Sequence, residues 1–433
     1  TPIKSSAASD VYKRQEYIHT SDLAQAAGFL FCFLAGSTKL KSRAQKDQRK
    51  DRKMSEQRFM KRAVELAKKG AGQTNPNPLV GAVIVKDGRI IGEGYHERCG
   101  SLHAERNAFA SLSESSEGAE LYVTLEPCCH HGKTPPCTDA ILEHKIARVI
   151  IGSRDPNPKV SGKGVSILRA AGVEVEEDFM REECDRLNPV FFHYITTNRP
   201  YVVMKYAATA DGKIATRTGA SKWITGEKAR AKVQEMRWTY TGIMAGIGTV
   251  LADDPLLTVR VKGKQSPIRI ICDSRLRIPE ECNICKTAGE YTTVVACADD
   301  GTEPSMAEKR KHLEEIGLHV VSMQDENGQV DLKRLMELLG KGEIQGVDAV
   351  DSILLEGGGT LNDSALQAGI VQEVKVFLAP KIFGGNGRTP VAGQGVAMPS
   401  EAAELQLENV SRIGEDILLE YKLKKGYEKC LQG

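Results

Sequence analysis

The sequence has no dominant charge. Lys and Arg total 59 against 57 Asp and Glu, a net charge of +2, so nothing electrostatic points to nucleic acid or a membrane surface as the main partner. It has no apolar run of transmembrane length: Ala26 to Ala35 falls well short of the roughly 20 residues a spanning helix needs. It has no disulfide-framework spacing. The 11 cysteines are odd in number and scattered over 433 residues, which suits a reducing cytoplasm better than a secreted scaffold. It has no G-x-G-x-x-G, which excludes a Rossmann fingerprint. Cys282-x-x-Cys285 has no second pair to complete a metal site and carries no function in this reading.

What is present suggests two α/β domains. Position 1 is not Met, and residues 1–53 read differently from the rest, ending in a basic, polar stretch from Lys39 to Lys53. Met54 is expected to be the natural start, with residues 1–53 as upstream or non-native sequence; a weak targeting or interaction tail is the alternative. Residues 54–198 form the first expected domain. Phe59, Met60, Ala63, Val64, Leu66 and Ala67 recur at helical spacing after Ser55. Leu79–Val85 and Ile90–Tyr95 flank Asp87-Gly88, a hairpin signal. Further strands are expected at 121–125, 148–152 and 173–175, with helices at 103–112, 138–144, 164–171 and 176–187. Residues 199–425 form the second domain, with 426–433 as a tail. Its strands are expected at 201–205, 242–245, 268–272, 291–296, 353–356 and 374–378, its helices at 227–239 and 364–369, and a loop at 249–255. Strand–helix alternation in both halves argues for layered α/β folds.

The first domain is organised around Glu126–Cys137, with His103-Ala104-Glu105 lying 25 residues before Cys128. His103, Cys128 and Cys137 supply one imidazole and two thiols, the donor set of a catalytic zinc with one coordination position left for water. Water at such a site reaches the hydroxide form near neutral pH. Glu105 stands two residues from His103, too close for a comfortable fourth ligand and well placed to carry a proton from that water to a leaving amine. A closed structural site remains open at this point, because Cys129, His130 or His131 offers a fourth ligand. H-x-E followed by P-C is the zinc deaminase signature, but the usual Cys-x-x-Cys is replaced here by a gap of eight residues.

These motifs, with Asn75-Pro76-Asn77-Pro78, resemble the bifunctional riboflavin-biosynthesis deaminase/reductases, in which the wide cysteine gap is normal. The resemblance spans about residues 54–425. It implies a cytidine-deaminase-like α/β/α sandwich followed by a dihydrofolate-reductase-like α/β domain. The implied reactions are zinc-hydroxide deamination of 2,5-diamino-6-(5-phosphoribosylamino)pyrimidin-4(3H)-one, then NADPH-dependent reduction of the ribosyl group to ribityl. Asn77 would hold the ring's polar edge, and Lys133 and Thr134 would lie near the substrate. In the second half, Lys205, Tyr206, Ala207, Trp223, Thr249, Asp253, Ser274 and Gly358, Gly359, Thr360, Leu361, Asn362, Asp363 and Ser364 would contact NADPH. Ser221, Arg237, Leu257, Arg260 and Glu356 would contact the ribosyl phosphate substrate.

Read without the resemblance, the residues allow blander roles. Asn77 is then a turn residue, Gly357-Gly358-Gly359 a tight turn, Asp253-Asp254 a loop cap, and Arg237 and Arg260 surface salt bridges. Two rival functions differ in class: a nucleic-acid deaminase, which needs a basic groove, and a zinc-stabilised binding module without catalysis. The expected protein is a cytoplasmic homo-oligomer, dimer or tetramer, with a small-molecule substrate and neither nucleic-acid nor membrane partners.

Overall fold

The computed structural model describes residues 54–130, 135–157, 160–299 and 304–424. Lys133 and Thr134 lie outside the described residues, as do residues 1–53 and 426–433. The chain divides into two compact units, Thr1–Phe59 and Met60–Gly433. Of the first, only 54–59 are described, and they are helical. Everything below concerns the second unit.

Within this unit the opening helix, α1, covers 60–68. Strands β1 (Gly81–Lys86) and β2 (Arg89–Tyr95) form a hairpin. Its turn residues Asp87 and Gly88 both have positive φ, 49° and 73°, the geometry that Asp-Gly favours. β3 (Glu120–Leu125) pairs antiparallel with β1 and parallel with β4 (Arg148–Ser153), and β5 (Glu174–Glu176) adds a parallel edge. The sheet order is β2-β1-β3-β4-β5. Helices α2 (Ala104–Ala110), α3 (Cys137–Glu143) and α4 (Lys163–Ala170) follow strands β2, β3 and β4. Ala104, Ala108, Ala140, Ile141, Val165 and Leu168 from these helices join one core with Ala82, Ile84, Leu121 and Val149 from the strands.

The expected closing helix at 176–187 is corrected. Asp178 and Met180 take left-handed conformations, φ 61° and 56°, so only the short α5 (Arg181–Asp185) forms. A second helix, α6 (Pro189–Thr197), follows with proline in its first turn, where a missing N–H costs nothing.

The second sheet has nine strands in the order β10-β9-β8-β7-β11-β6-β12-β14-β13. They are β6 (Tyr201–Thr209), β7 (Gly242–Gly246), β8 (Ile268–Cys272), β9 (Thr293–Cys297), β10 (His319–Ser322), β11 (Ser352–Leu355), β12 (Val371–Ala379), β13 (Leu405–Ile413) and β14 (Asp416–Leu423). The strands from β10 to β12 are parallel, and β14 and β13 are antiparallel. The helices are α7 (Glu227–Thr239), α8 (Ile247–Asp253), α9 (Asn283–Lys286), α10 (Pro304–Glu315), α11 (Leu332–Lys341) and α12 (Gly359–Gln367). Alternate residues of β7 enter different cores: Met244 packs with Leu335 and Leu339 of α11, whereas Ile243 and Ala245 pack with Leu313 of α10. Burial on both faces explains why this strand reads as an unbroken apolar run.

Two further expectations are corrected. Residues 249–255 are not a loop, since α8 runs through Thr249 to Asp253. Helix α12 starts at Gly359, five residues before the expected start. Among the described residues, no helix is long and apolar enough to cross a membrane.

Candidate active sites

The first site is assembled at the starts of α2 and α3. His103 is the residue before α2, in extended conformation, and Glu105 lies in that helix's first turn, almost fully buried. The eight-residue gap closes because the chain folds back after β3. Backbone N–H groups of Cys137 and Thr138 both donate to the Cys128 carbonyl, at 3.1 and 3.2 Å. Arg106 on α2 donates to the carbonyls of Pro135 and Pro136, at 3.2 and 2.9 Å, and pins the returning end. His103 Nδ1 is then 3.4 Å from Cys128 Sγ and 3.3 Å from Cys137 Sγ, with all three donor atoms within 4.8 Å of one another.

That donor set fits zinc. Bonds of about 2.05 Å to nitrogen and about 2.3 Å to sulfur, at a tetrahedral angle, separate N and S by about 3.6 Å, close to the spacings found. The protonation pattern agrees. The Cys137 thiol beside it holds the Cys128 thiol down to about 4 despite burial, while Cys137 is pushed well above its ordinary value by that same contact and by burial. The contact with Cys128 also raises His103. One thiolate is therefore favoured even without a cation, and a soft divalent ion suits the group. Burial, and next the Cys128 charge, raise Glu105, which suits it to holding a proton.

A cavity of about 600 Å³ opens over these residues and includes Asn77, His96, Asp155, Phe191 and Tyr194. His96 was missed in the sequence. Its Nδ1 lies 3.0 Å from the Leu102 carbonyl and its Nε2 lies 3.2 Å from Asn77 Nδ2. Burial lowers its pKa, so the ring is neutral. The hydrogen-bond pattern assigns the proton to Nδ1 and makes Nε2 the acceptor of the Asn77 amide. The Asn77 carbonyl oxygen is then the end of that amide left to accept from a ligand. Buried Asp155 rises to about 6, chiefly through desolvation.

The second site lies at the carboxyl ends of the parallel strands. A cavity of about 770 Å³ is lined by Ser221, Thr249, Asp253, Ser274, Gly358, Gly359, Thr360, Leu361 and Ser364. Thr249 and Asp253 come from α8, Ser274 follows β8, and Gly358 to Ser364 form the start of α12. A Cβ at Gly359 would lie 2.9 Å from the Thr389 carbonyl, so only glycine lets the turn sit there. Exposed N–H groups at the start of a nine-residue helix beside a cavity suit a phosphate.

Other candidates are placed elsewhere. Ala207, Trp223, Asn362 and Asp363 are not among the residues lining that cavity. Trp223 is largely exposed, with the Arg230 guanidinium 4.6 Å from its ring centroid. Asn362 is buried and donates to the Pro390 carbonyl at 2.8 Å, and Asp363 accepts from Gln367. Leu257 is a core residue with φ 51°, and the Arg260 side chain is exposed. Arg237 is not an open fork. It grips Glu356 through Nε at 2.7 Å and Nη2 at 3.0 Å, and donates to the Thr258 carbonyl. Lys205 Nζ reaches the same carboxylate at 3.1 Å. A lysine within the buried run of β6 is the sequence signal for such a pair, because a buried ammonium needs a counter-charge.

The comparisons with known proteins cover both halves. The model of the cytidine and deoxycytidylate deaminase zinc-binding region matches residues 53–153, and that of the RibD C-terminal domain matches residues 200–419. The riboflavin biosynthesis protein RibD of Actinobacillus pleuropneumoniae is 53% identical over 369 residues, covering 85% of this chain and 95% of that protein. A solved diaminohydroxyphosphoribosylaminopyrimidine deaminase/5-amino-6-(5-phosphoribosylamino)uracil reductase from Thermotoga maritima is 40% identical. It superposes with a TM-score of 0.74 over 86% of this chain and 100% of that one. Acinetobacter baumannii RibD gives a TM-score of 0.75 at 35% identity, over 86% of this chain and 100% of that one. The chain belongs to the family of bifunctional riboflavin-biosynthesis deaminase/reductases.

Proposed function

We propose that residues 54–198 deaminate 2,5-diamino-6-(5-phosphoribosylamino)pyrimidin-4(3H)-one and that residues 199–425 reduce the ribosyl group of the product to ribityl. Zinc and NADPH are the cofactors. The observation that carries the reading is the cluster of His103, Cys128 and Cys137, with donor atoms within 4.8 Å and Glu105 buried in the adjoining helical turn.

In the first site, His103, Cys128 and Cys137 would hold the metal. When bound, zinc supplies the Lewis acidity that lets water act as a nucleophile near neutral pH. Glu105 takes a proton from the attacking water and returns it to the departing amine, so ammonia leaves and a carbonyl remains. Asn77, held by His96, accepts a hydrogen bond from the ring's polar edge.

In the second site, the Gly358–Ser364 turn would take the cofactor's phosphates, with Thr249, Asp253 and Ser274 from the same cavity contributing further contacts. When bound, NADPH would supply a hydride to C1′ of the open-chain imine, and the imine nitrogen would take a proton from solvent, leaving the ribityl amine. Ser221, which lines the same cavity, and the exposed Arg260 would contact the ribosyl phosphate substrate, whereas Leu257 lies in the core and Arg237 and Glu356 are engaged with each other. The protein works in the cytoplasm as a homo-oligomer, a dimer or tetramer. The exposed apolar residues Leu407 and Val410 on edge strand β13 support self-association.

Glu105→Ala separates catalysis from scaffolding. The variant is expected to retain zinc and to lose ammonia release by about 10²- to 10⁴-fold. Wild-type ammonia release from that variant would remove the proposed proton carrier.

A further inference from the structure

Asn77 lies in a loop whose anchor is remote in sequence. Two residues earlier, Asn75 Nδ2 donates to Asp351 Oδ2 at 2.9 Å across 276 residues. Asp351 immediately precedes β11 of the second sheet and is buried, 3% exposed. Its other carboxylate oxygen accepts from Thr241 Oγ1 at 2.7 Å and Ser352 Oγ at 2.6 Å. The carboxylate is thus held rigidly by its own domain and offers one oxygen to the loop. Pro76 and Pro78 flank Asn77 and restrict its φ/ψ freedom, so fixing Asn75 fixes where Asn77 points.

Two more contacts tie the segment before Asn77 and the cavity wall to the second half. Gly72, at φ 72°, lies against Trp238 of α7: a Cβ there would come within 2.0 Å of the indole ring. Tyr194, from the cavity wall, donates to the Gly340 carbonyl of α11 at 2.8 Å. Both the Asn77 loop and the α6 wall of the deaminase cavity therefore rest on residues of the nine-stranded sheet and its helices.

We infer that Asp351 is a positioning residue for the deaminase: the reductase half sets the Asn75–Asn77 loop and so the substrate affinity of the other site. This rests on the placement of Asn77 at the deaminase substrate. The test uses the full zinc-loaded chain and exchanges the two partners. Asn75→Asp sets two carboxylates against each other. The double variant Asn75→Asp/Asp351→Asn restores one amide donor and one carboxylate acceptor, and keeps an acceptor for Thr241 and Ser352. Deaminase KM and kcat are measured with zinc content, and reductase kcat/KM is measured on separately supplied deaminated substrate.

Asn75→Asp is expected to raise the deaminase KM about tenfold, equivalent to about 1.4 kcal/mol, with kcat, zinc content and reductase kcat/KM within about twofold. The exchanged pair is expected to bring KM back to within about threefold of wild type. A wild-type KM in Asn75→Asp overturns the inference, and that result stands whatever Asp351→Asn does to folding. A raised KM that the exchange leaves unchanged overturns it as well. Asn77→Ala is the parallel control. If it leaves KM unaltered, the placement of Asn77 at the substrate falls and the inference with it. If it raises KM while Asn75→Asp does not, only the role of Asp351 falls.

Discussion

Glu356 shows how one side chain ties stability to pH. Burial alone would raise its pKa, but Lys205 at 3.1 Å and Arg237 at 2.7 Å hold the carboxyl well below its usual 4.5. A folded-state pKa below the unfolded value contributes stability that is complete above about 4.5 and is lost as pH falls through the depressed value. Urea unfolding between pH 7 and pH 3 is therefore expected to show the wild-type advantage over Glu356→Gln shrinking as pH drops. At pH 7 the substitution leaves two buried cations short of a partner and is expected to cost about 3–5 kcal/mol. A pH-independent difference would contradict this account. The same pair shows what residue types alone conceal. Arg237 and Glu356 are each recognisable as candidates, yet 119 residues separate them, and nothing in either neighbourhood says that the arginine spends its fork on the glutamate. The Asn77–His96 and Asn75–Asp351 contacts, 19 and 276 residues apart, were hidden for the same reason. The three candidate zinc ligands could be singled out from the sequence because His103 precedes α2, Cys137 opens α3, and Cys128 follows a proline just beyond β3.

At the scale of elements, close packing places the chemistry. A Cβ on Gly94 of β2 would lie 2.2 Å from the Ala108 nitrogen and 2.4 Å from the Ala104 carbonyl oxygen, so α2 can approach the sheet only over glycine. Gly94→Ala is expected to lose about 1–3 kcal/mol and, because α2 carries His103 at its start, to lower zinc per chain. Thermal melting with metal analysis checks both, and full zinc occupancy would show that α2 has not moved. Element legibility followed periodicity. Helix α7 was expected at the residues where it lies, 227–239, because apolar spacing and flanking signals agree. Helix α8 was obscured by Asp253-Asp254-Pro255, which reads as a loop. Helix α12 was read as starting late because three glycines imply a turn, although the helix uses the last as its first residue. Strand β13 was not read at all: its residues are mostly exposed, so no buried face imposes an alternation.

For the whole molecule, the two sheets carry separate cofactor chemistries, so one is expected to be removable without the other. Chelating zinc from the intact enzyme is expected to abolish ammonia release and leave NADPH oxidation with deaminated substrate within about twofold of the untreated rate, since the proposed metal ligands His103, Cys128 and Cys137 lie in the first half. The inferred Asn75–Asp351 tie predicts traffic in one respect only, the substrate affinity of the deaminase. The central claim is that one chain performs both reactions in order. Its most direct measurement is the product mass after incubation with the diamino-pyrimidinone ribosyl phosphate, with and without NADPH. The account predicts a gain of about one mass unit without NADPH, from exchange of an amine for a carbonyl, and about two more with it, from hydride plus proton. A two-unit gain without the preceding one-unit step, or no mass change in the absence of NADPH, would contradict it.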